Sequence, residues 1–101
     1  MKEIKSIQNK QENKQPANLE AEQALLGSIL VNNDIIDEIS TMVNANIFYD
    51  PAHVKIYDVI SNLNNKGMIA NPITLKNFFE KDNMLEEVGG TEYLVKLDGI
   101  N

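Results

Sequence analysis

The step Asp50–Pro51 constrains this chain more than any other pair of residues. An aspartate side chain accepts hydrogen bonds from the free N–H groups of a helix's first turn. A proline placed next fills the first helical position, where its missing N–H costs nothing. Ala52, Ile56, Val59, Ile60 and Leu63 then fall at i, i+4, i+7, i+8 and i+11, one apolar stripe at the helical period. Asn64–Asn65–Lys66–Gly67 ends the run, with Gly67 as the left-handed residue past the last turn. Such a helix must bury its stripe, so the rest of the chain has to supply partners for it.

The flanking segments read as shorter helices. Asn18 is placed to cap a first helix, with Glu20 and Glu22 in the turn where the helix dipole favours acids. Its apolar face comprises Ala21, Leu25, Gly27–Ser28, Ile29 and Leu30, and it stops before Asn32–Asn33. Asp34 caps a short second helix, with Asp37 three residues on, and Ile35, Ile36, Ile39 and Met42 face inward. Asn44, Asn46 and Ile47–Phe48–Tyr49 form a connector whose aromatics plug the core. Asn71–Pro72 is a break, because the residue before a proline avoids helical geometry. Thr74 opens a fourth helix with Leu75, Phe78 and Phe79 inward, closing near Asp82–Asn83. Met84 to Val88 makes about one turn. Gly89–Gly90 forces a bend, and Thr91 caps a last helix carrying Tyr93, Leu94 and Leu97. No segment sustains the period of 2 that a strand needs. The expected class is all-α, a compact orthogonal bundle of about five or six short helices. Residues 1–17 read as a disordered polar lead-in and 18–101 as the helical domain.

Charge and residue types narrow the chemistry. Residues 1–15 carry Lys2, Lys5, Lys10 and Lys14 against Glu3 and Glu12, while residues 16–101 hold five lysines and thirteen acids. The local balances are +2 and −8, giving the net charge of −6. All nine basic residues are lysine. An acidic body without arginine repels phosphate backbones and lacks the bidentate fork that reads guanine, so direct DNA binding is not expected. With no cysteine there is no disulfide, thiolate ligand or cysteine nucleophile. No apolar run approaches the ~20 residues that span a bilayer.

Candidate sites are sparse. His53 is the single histidine, in the first turn after Asp50, and reads as a neutral surface or capping residue rather than a base or zinc ligand. Tyr49, Tyr57 and Tyr93 fit core positions with one wet end. Asp34/Asp37/Glu38 and Glu86/Glu87 fit caps and solvated faces, and the D-x-D-x-D-G calcium pattern is absent. None of Gly27, Gly67, Gly89, Gly90 or Gly99 lies in G-x-x-x-x-G-K-[ST], so the phosphate cradle and its lysine are missing. No catalytic, cofactor-binding or metal residue is assigned.

Four motifs together resemble the N-terminal domain of bacterial replicative DNA helicases of the DnaB type. Pro16 to Gly27, containing Glu20-Ala21-Glu22-Gln23 and Leu25-Leu26-Gly27, is similar to that family's opening. Phe48-Tyr49, His53 and Ile56-Tyr57 resemble its F-Y-x-x-x-H-x-x-I-[FY]. Pro72-Ile73-Thr74-Leu75 resembles a shortened P-[IV]-D-x-x-T-L, and Gly89-Gly90 with Tyr93-Leu94 and Leu97 matches G-G-x-x-Y-L-x-x-L. The sequence departs at Ala17, where the family has His or Gln, and it reaches Asn101 without the family's helical hairpin, linker or RecA-like ATPase domain.

The resemblance implies a cytoplasmic bacterial protein whose head assembles and binds partners. In the parent, six subunits encircle single-stranded DNA and unwind the fork with ATP and Mg in the ATPase domain. The heads form a collar that contacts primase and the helicase loader, while DNA is held by the ring rather than by this domain. The fragment itself is expected to be a monomer or weak dimer, with no membrane partner. Leu97 and Ile100, near the end where the hairpin would pack, are the better interface candidates. Phe48 and Tyr49 are lesser ones, since core plugging accounts for them more readily. The competing readings are a stand-alone regulatory or adaptor protein with this domain and no ATPase, a helix-turn-helix module, and a small enzyme. A helix-turn-helix module needs a basic recognition helix, whereas the best helix offers only His53 and Lys55.

Overall fold

In a computed structural model, residues 19–100 are described. The expected lead-in over 1–17 and the capping role of Asn18 lie outside them. Five α-helices follow in order: α1 Leu19–Val31, α2 Asp34–Ile39, α3 Pro51–Asn65, α4 Pro72–Lys81 and α5 Gly90–Gly99. Single 3-10 turns at Ala45–Ile47 and Glu86–Val88 sit before α3 and α5, and there is no strand among the described residues. The all-α class is as the periodicity required.

Helix α3 is the pillar. Asp50 has extended backbone and its side chain accepts from the Ala52 N–H, with Pro51 in the first turn. Ile56, Val59, Ile60 and Leu63 are buried, and Gly67 takes φ +75° past the last turn. His53 and Tyr57 are buried on the same helix, so its covered surface is wider than the stripe alone. The reason is that α1, α4 and both 3-10 turns pack around it. Helix α5 lies mainly on α1 and α4, closing the core with Leu94 and Leu97 beside Leu26, Ile29, Leu75 and Phe79. Each buried Leu, Ile or Phe contributes about 1.5–3 kcal/mol, and these side chains come from every helix of the domain.

Several local expectations are corrected. In α1, Ala21 is exposed, while Leu26 is fully buried. Asp34 is the first residue of α2 rather than its cap, and Asn33 before it turns its amide toward the α3–α4 loop. Met42 points to solvent, because the chain turns away at 40–42 once α2 has ended. Helix α4 begins at Pro72. Asn71 is its cap and Thr74 is the reciprocal partner in a capping box, so the start expected at Thr74 falls two residues late. Helix α5 begins at Gly90 with no side-chain cap, which leaves Thr91 inside it.

Candidate functional site

Three helices meet at a polar node in the otherwise apolar interior. Glu22 lies in the first turns of α1, His53 in the first turn of α3, and Tyr93 one turn into α5. His53 is completely buried and Glu22 nearly so. The His53 Nδ1 stands 2.7 Å from Glu22 Oε1, and its Nε2 stands 2.5 Å from the Tyr93 hydroxyl. Gln23 Nε2 donates to the same hydroxyl at 3.0 Å.

The donor inventory fixes the direction of the chain of bonds. An ionised carboxylate only accepts, so Nδ1 carries the proton toward Glu22. In neutral His53 the other nitrogen then accepts from the Tyr93 O–H, and the phenol oxygen accepts from Gln23. Each link uses the donor left by the one before it, and none is frustrated. The rings agree with this. His53 and Tyr93 are within 8° of parallel with centroids 5.9 Å apart, and the edge-on Phe48 ring closes another side at 6.3 Å.

Glu22 has a second task. Its carboxylate accepts the backbone N–H of Tyr49 at 2.6 Å and that of Asp50 at 3.3 Å. Those two groups lie just upstream of α3, so one side chain holds the approach to α3 and orients the histidine within it. Burial pushes the Glu22 carboxyl up. The hydrogen bonds from His53, Tyr49 and Asp50, joined by the imidazole's positive charge when that ring is protonated, outweigh it and hold the carboxyl below the ordinary value of 4.5. Tyr93 moves the other way. Burial raises its hydroxyl above the usual 10.0, and the charges of Asp50 and Glu22 add to that, while the Gln23 hydrogen bond opposes it. The second Asp50 oxygen sits 3.9 Å from His53 Nε2 at the half-open edge of the node.

Gly89 sets the position of Tyr93. Its φ is +106°, and a Cβ there would stand 2.7 Å from the Tyr93 Cβ. Only glycine lets the chain turn into α5 with the tyrosine folded back over the turn.

A carboxylate–histidine–hydroxyl row resembles the wiring of a nucleophile, yet it is unsuited to that work here. The histidine has no exposed surface from which to reach a substrate, and its hydroxyl partner is a tyrosine raised above its ordinary pKa. Among the described residues no group of three His, Asp or Glu side chains is placed to hold a metal ion. What the node does is tie α1, α3 and α5 together in one register.

The expected site residues are divided by the structure. Leu97 is fully buried against the core and Phe48 is 5% exposed, so neither offers a surface for a partner. Tyr49 and Ile100 are exposed, at 56% and 40%. Tyr49 therefore does not plug the core as expected, because its backbone is bound to Glu22 and its ring turns outward. The surface or capping role expected for His53 is overturned. Glu22, read as a first-turn dipole residue, is its buried partner 31 positions away. The signal was that Glu22, Gln23, Phe48, Tyr49, His53 and Tyr93 all belong to the quoted motifs.

The chain matches the family model described as the DnaB-like helicase N terminal domain over residues 14–100. It is similar to the replicative DNA helicase DnaB of Rickettsia felis, 44% identical over 82 residues that cover 81% of this chain and 17% of that protein. It is also similar to the replicative DNA helicase DnaB of Mycobacterium leprae, 34% identical over 79 residues that cover 78% of this chain and 13% of that protein. Among solved structures, the N-terminal domain of DnaB helicase from Mycobacterium tuberculosis superposes with a TM-score of 0.76 at 33% identity, covering 80% of this chain and 56% of that one. The chain thus spans less than a fifth of the length of these two full-length relatives. No described helix is long and apolar enough to cross a membrane.

Proposed function

Because the chain belongs to the DnaB-like helicase N-terminal domain family, we propose that it serves as a non-catalytic head through which a replicative DNA helicase assembles and is engaged by other replication proteins. The observation that carries this reading is the convergence of three family motifs on one buried, fully hydrogen-bonded node. Residues that react with a substrate must face it, whereas these face each other and rigidify the domain. A rigid head suits docking, because little conformational freedom is lost when a partner binds. Hydrolysis of ATP with Mg, and passage of single-stranded DNA, belong in this reading to an ATPase ring beyond the domain. The acidic, arginine-free surface supports contacts with proteins over contacts with DNA. Primase and the helicase loader are the partners proposed, in the bacterial cytoplasm.

The test is to titrate the purified chain with the helicase-binding domain of a bacterial primase, and separately with a loader, by calorimetry, while measuring mass by light scattering. Saturable binding to either, from a monomer or weak dimer, is the expected result. A stable hexamer of the chain alone, ATP hydrolysis by it, or duplex binding at low salt in place of protein binding would overturn the reading.

A further inference from the structure

His53 is fully buried, yet in the neutral node its Nε2 carries no proton and remains a place where one can bind. The titratable groups that face the ring are Glu22 from α1 at 2.7 Å, Tyr93 from α5 at 2.5 Å and Asp50 from the turn before α3 at 3.9 Å. The connector before α3 adds the Phe48 ring, which carries no charge. Two carboxylates and no cation therefore face the imidazole, so a proton added to it is compensated inside the domain.

Counting donors shows what that proton does to the hydrogen bonds. Glu22 also accepts the backbone N–H groups of Tyr49 and Asp50, which hold it as a carboxylate, so it remains the acceptor for Nδ1–H. Protonated Nε2 turns from acceptor to donor, and the oxygen in reach is the Tyr93 hydroxyl. Asp50 Oδ2 is too distant for a hydrogen bond, and Asp50 Oδ1 is engaged by the Ala52 N–H. The Tyr93 oxygen then meets two donors, Nε2–H and the Gln23 amide, while its own O–H has lost its acceptor. One rotation removes the conflict. Gln23 carries a carbonyl oxygen on the same amide, and turning that group over exchanges donor for acceptor with little change of shape. Among the described residues Gln23 Oε1 accepts no other hydrogen bond, so the turn breaks only the bond it replaces.

We propose that uptake of a proton by His53 reverses the chain of bonds from His53 through Tyr93 to Gln23, the Gln23 amide turning from donor to acceptor while α1, α3 and α5 stay in place. In one state Gln23 donates to Tyr93 and Tyr93 donates to His53. In the other His53 donates to Tyr93 and Tyr93 donates to Gln23. Gln23 is half-buried, so the end of its amide turned away from Tyr93 changes from acceptor to donor and carries outward the charge state of a histidine with no surface of its own. The proposal concerns the interior of the head and is independent of which protein the head engages.

The experiment follows the isotopically labelled chain by NMR as pH is lowered from about 8 toward acid unfolding. The His53 ring nitrogens report the tautomer and its protonation, and the Gln23 side-chain amide signals report which way that group points. The Gln23 signals should move in step with the ring. In Tyr93→Phe the link is cut, and they should no longer follow it. Gln23→Met keeps the length of the side chain without an acceptor, so the Tyr93 O–H is left unpaired once the ring is protonated. The exchange protection of the Leu94 amide, taken relative to wild type, should then fall by about a further tenfold across the ring's titration. Gln23 signals that ignore the ring, signals that still follow it in Tyr93→Phe, or a Leu94 ratio that stays constant overturn the proposal. So does a ring that stays neutral until the helices unfold, since the node would then have a single state.

Discussion

The polar node and the Met68–Ile73 end both break the rule that polar groups face water and apolar groups avoid it, in opposite directions. At the node, a carboxylate, an imidazole and a phenol are taken out of water, and each finds its complement within 3.0 Å. At the other end, aliphatic side chains stay in water, and hydrogen bonds hold only the backbone beneath them. The first arrangement satisfies its groups inside the monomer, so its residues should matter for stability. The second leaves them in water, so its side chains should matter scarcely for folding. That difference separates side chains that hold the described helices together from side chains that do not.

The comparison breaks most readily at Glu22. Glu22→Ala leaves the His53 Nδ1–H and the N–H groups of Tyr49 and Asp50 without acceptors in the interior, a loss of about 4 kcal/mol. Urea unfolding should show it as a midpoint shift with an unchanged slope. A loss under about 1 kcal/mol would mean that the node is not what holds the three helices. The same carboxylate supplies a reversible version. Its folded-state pKa is depressed, so its contribution is fully present above about pH 4.5 and fades as pH falls below that value through the folded pKa. Wild-type stability should drop more steeply over that acid range than that of Glu22→Gln, measured by thermal melts at successive pH values.

Gly89→Ala tests how the node is positioned. A methyl group at φ +106° meets the Tyr93 side chain, so the backbone strain and the collision together should cost about 3 kcal/mol. Since the collision partner is Tyr93 itself, pairing the change with Tyr93→Ala should remove part of the loss. Additive effects in that double-mutant cycle would place the strain elsewhere.

The legible part of the fold was the part written locally. Asp50–Pro51 announced α3 because capping and the proline's position are decided within a few residues, and its stripe showed which side faces inward. Asn71 and Thr74 both cap well, and sequence spacing alone does not say which is the cap and which the reciprocal partner. The node was invisible for a different reason. Glu22 in a first turn is fully explained by the helix dipole, and nothing near it in sequence announces a histidine 31 residues on. A lone histidine after a cap likewise reads as a surface residue until α1 and α5 are laid across it. Only the joint appearance of these residues in the quoted motifs pointed to a shared role. The burial of Leu97 and Phe48 was hidden by the same gap, since proximity to a chain end or a connector says nothing of which helix covers a side chain.

Between the two regions stands Asn33, whose side chain is polar and half-buried while its work is done beneath the apolar tip. Asn33→Ala removes both bonds to Ala70 and one to the Ile29 carbonyl, and should cost about 1–2 kcal/mol. Hydrogen exchange at Ala70 should quicken more than at Leu94, because the loosened segment opens without the core. Equal quickening at both positions would show that the tip and the core are one cooperative unit.

The smallest effect expected is the sharpest comparison with Glu22. Ile69→Asp replaces an aliphatic side chain that is 68% exposed, in a cleft that Asp34 also lines. The substitution loses little burial and the aspartate remains hydrated, so stability should stay within about 0.5 kcal/mol of wild type. Chemical unfolding measured beside Glu22→Ala decides the matter. A loss of about 2 kcal/mol or more at Ile69 would make this end a part of the core. Unchanged stability would place the exposed aliphatic side chains of this end outside the packing that holds the described helices, the reverse of what the node does.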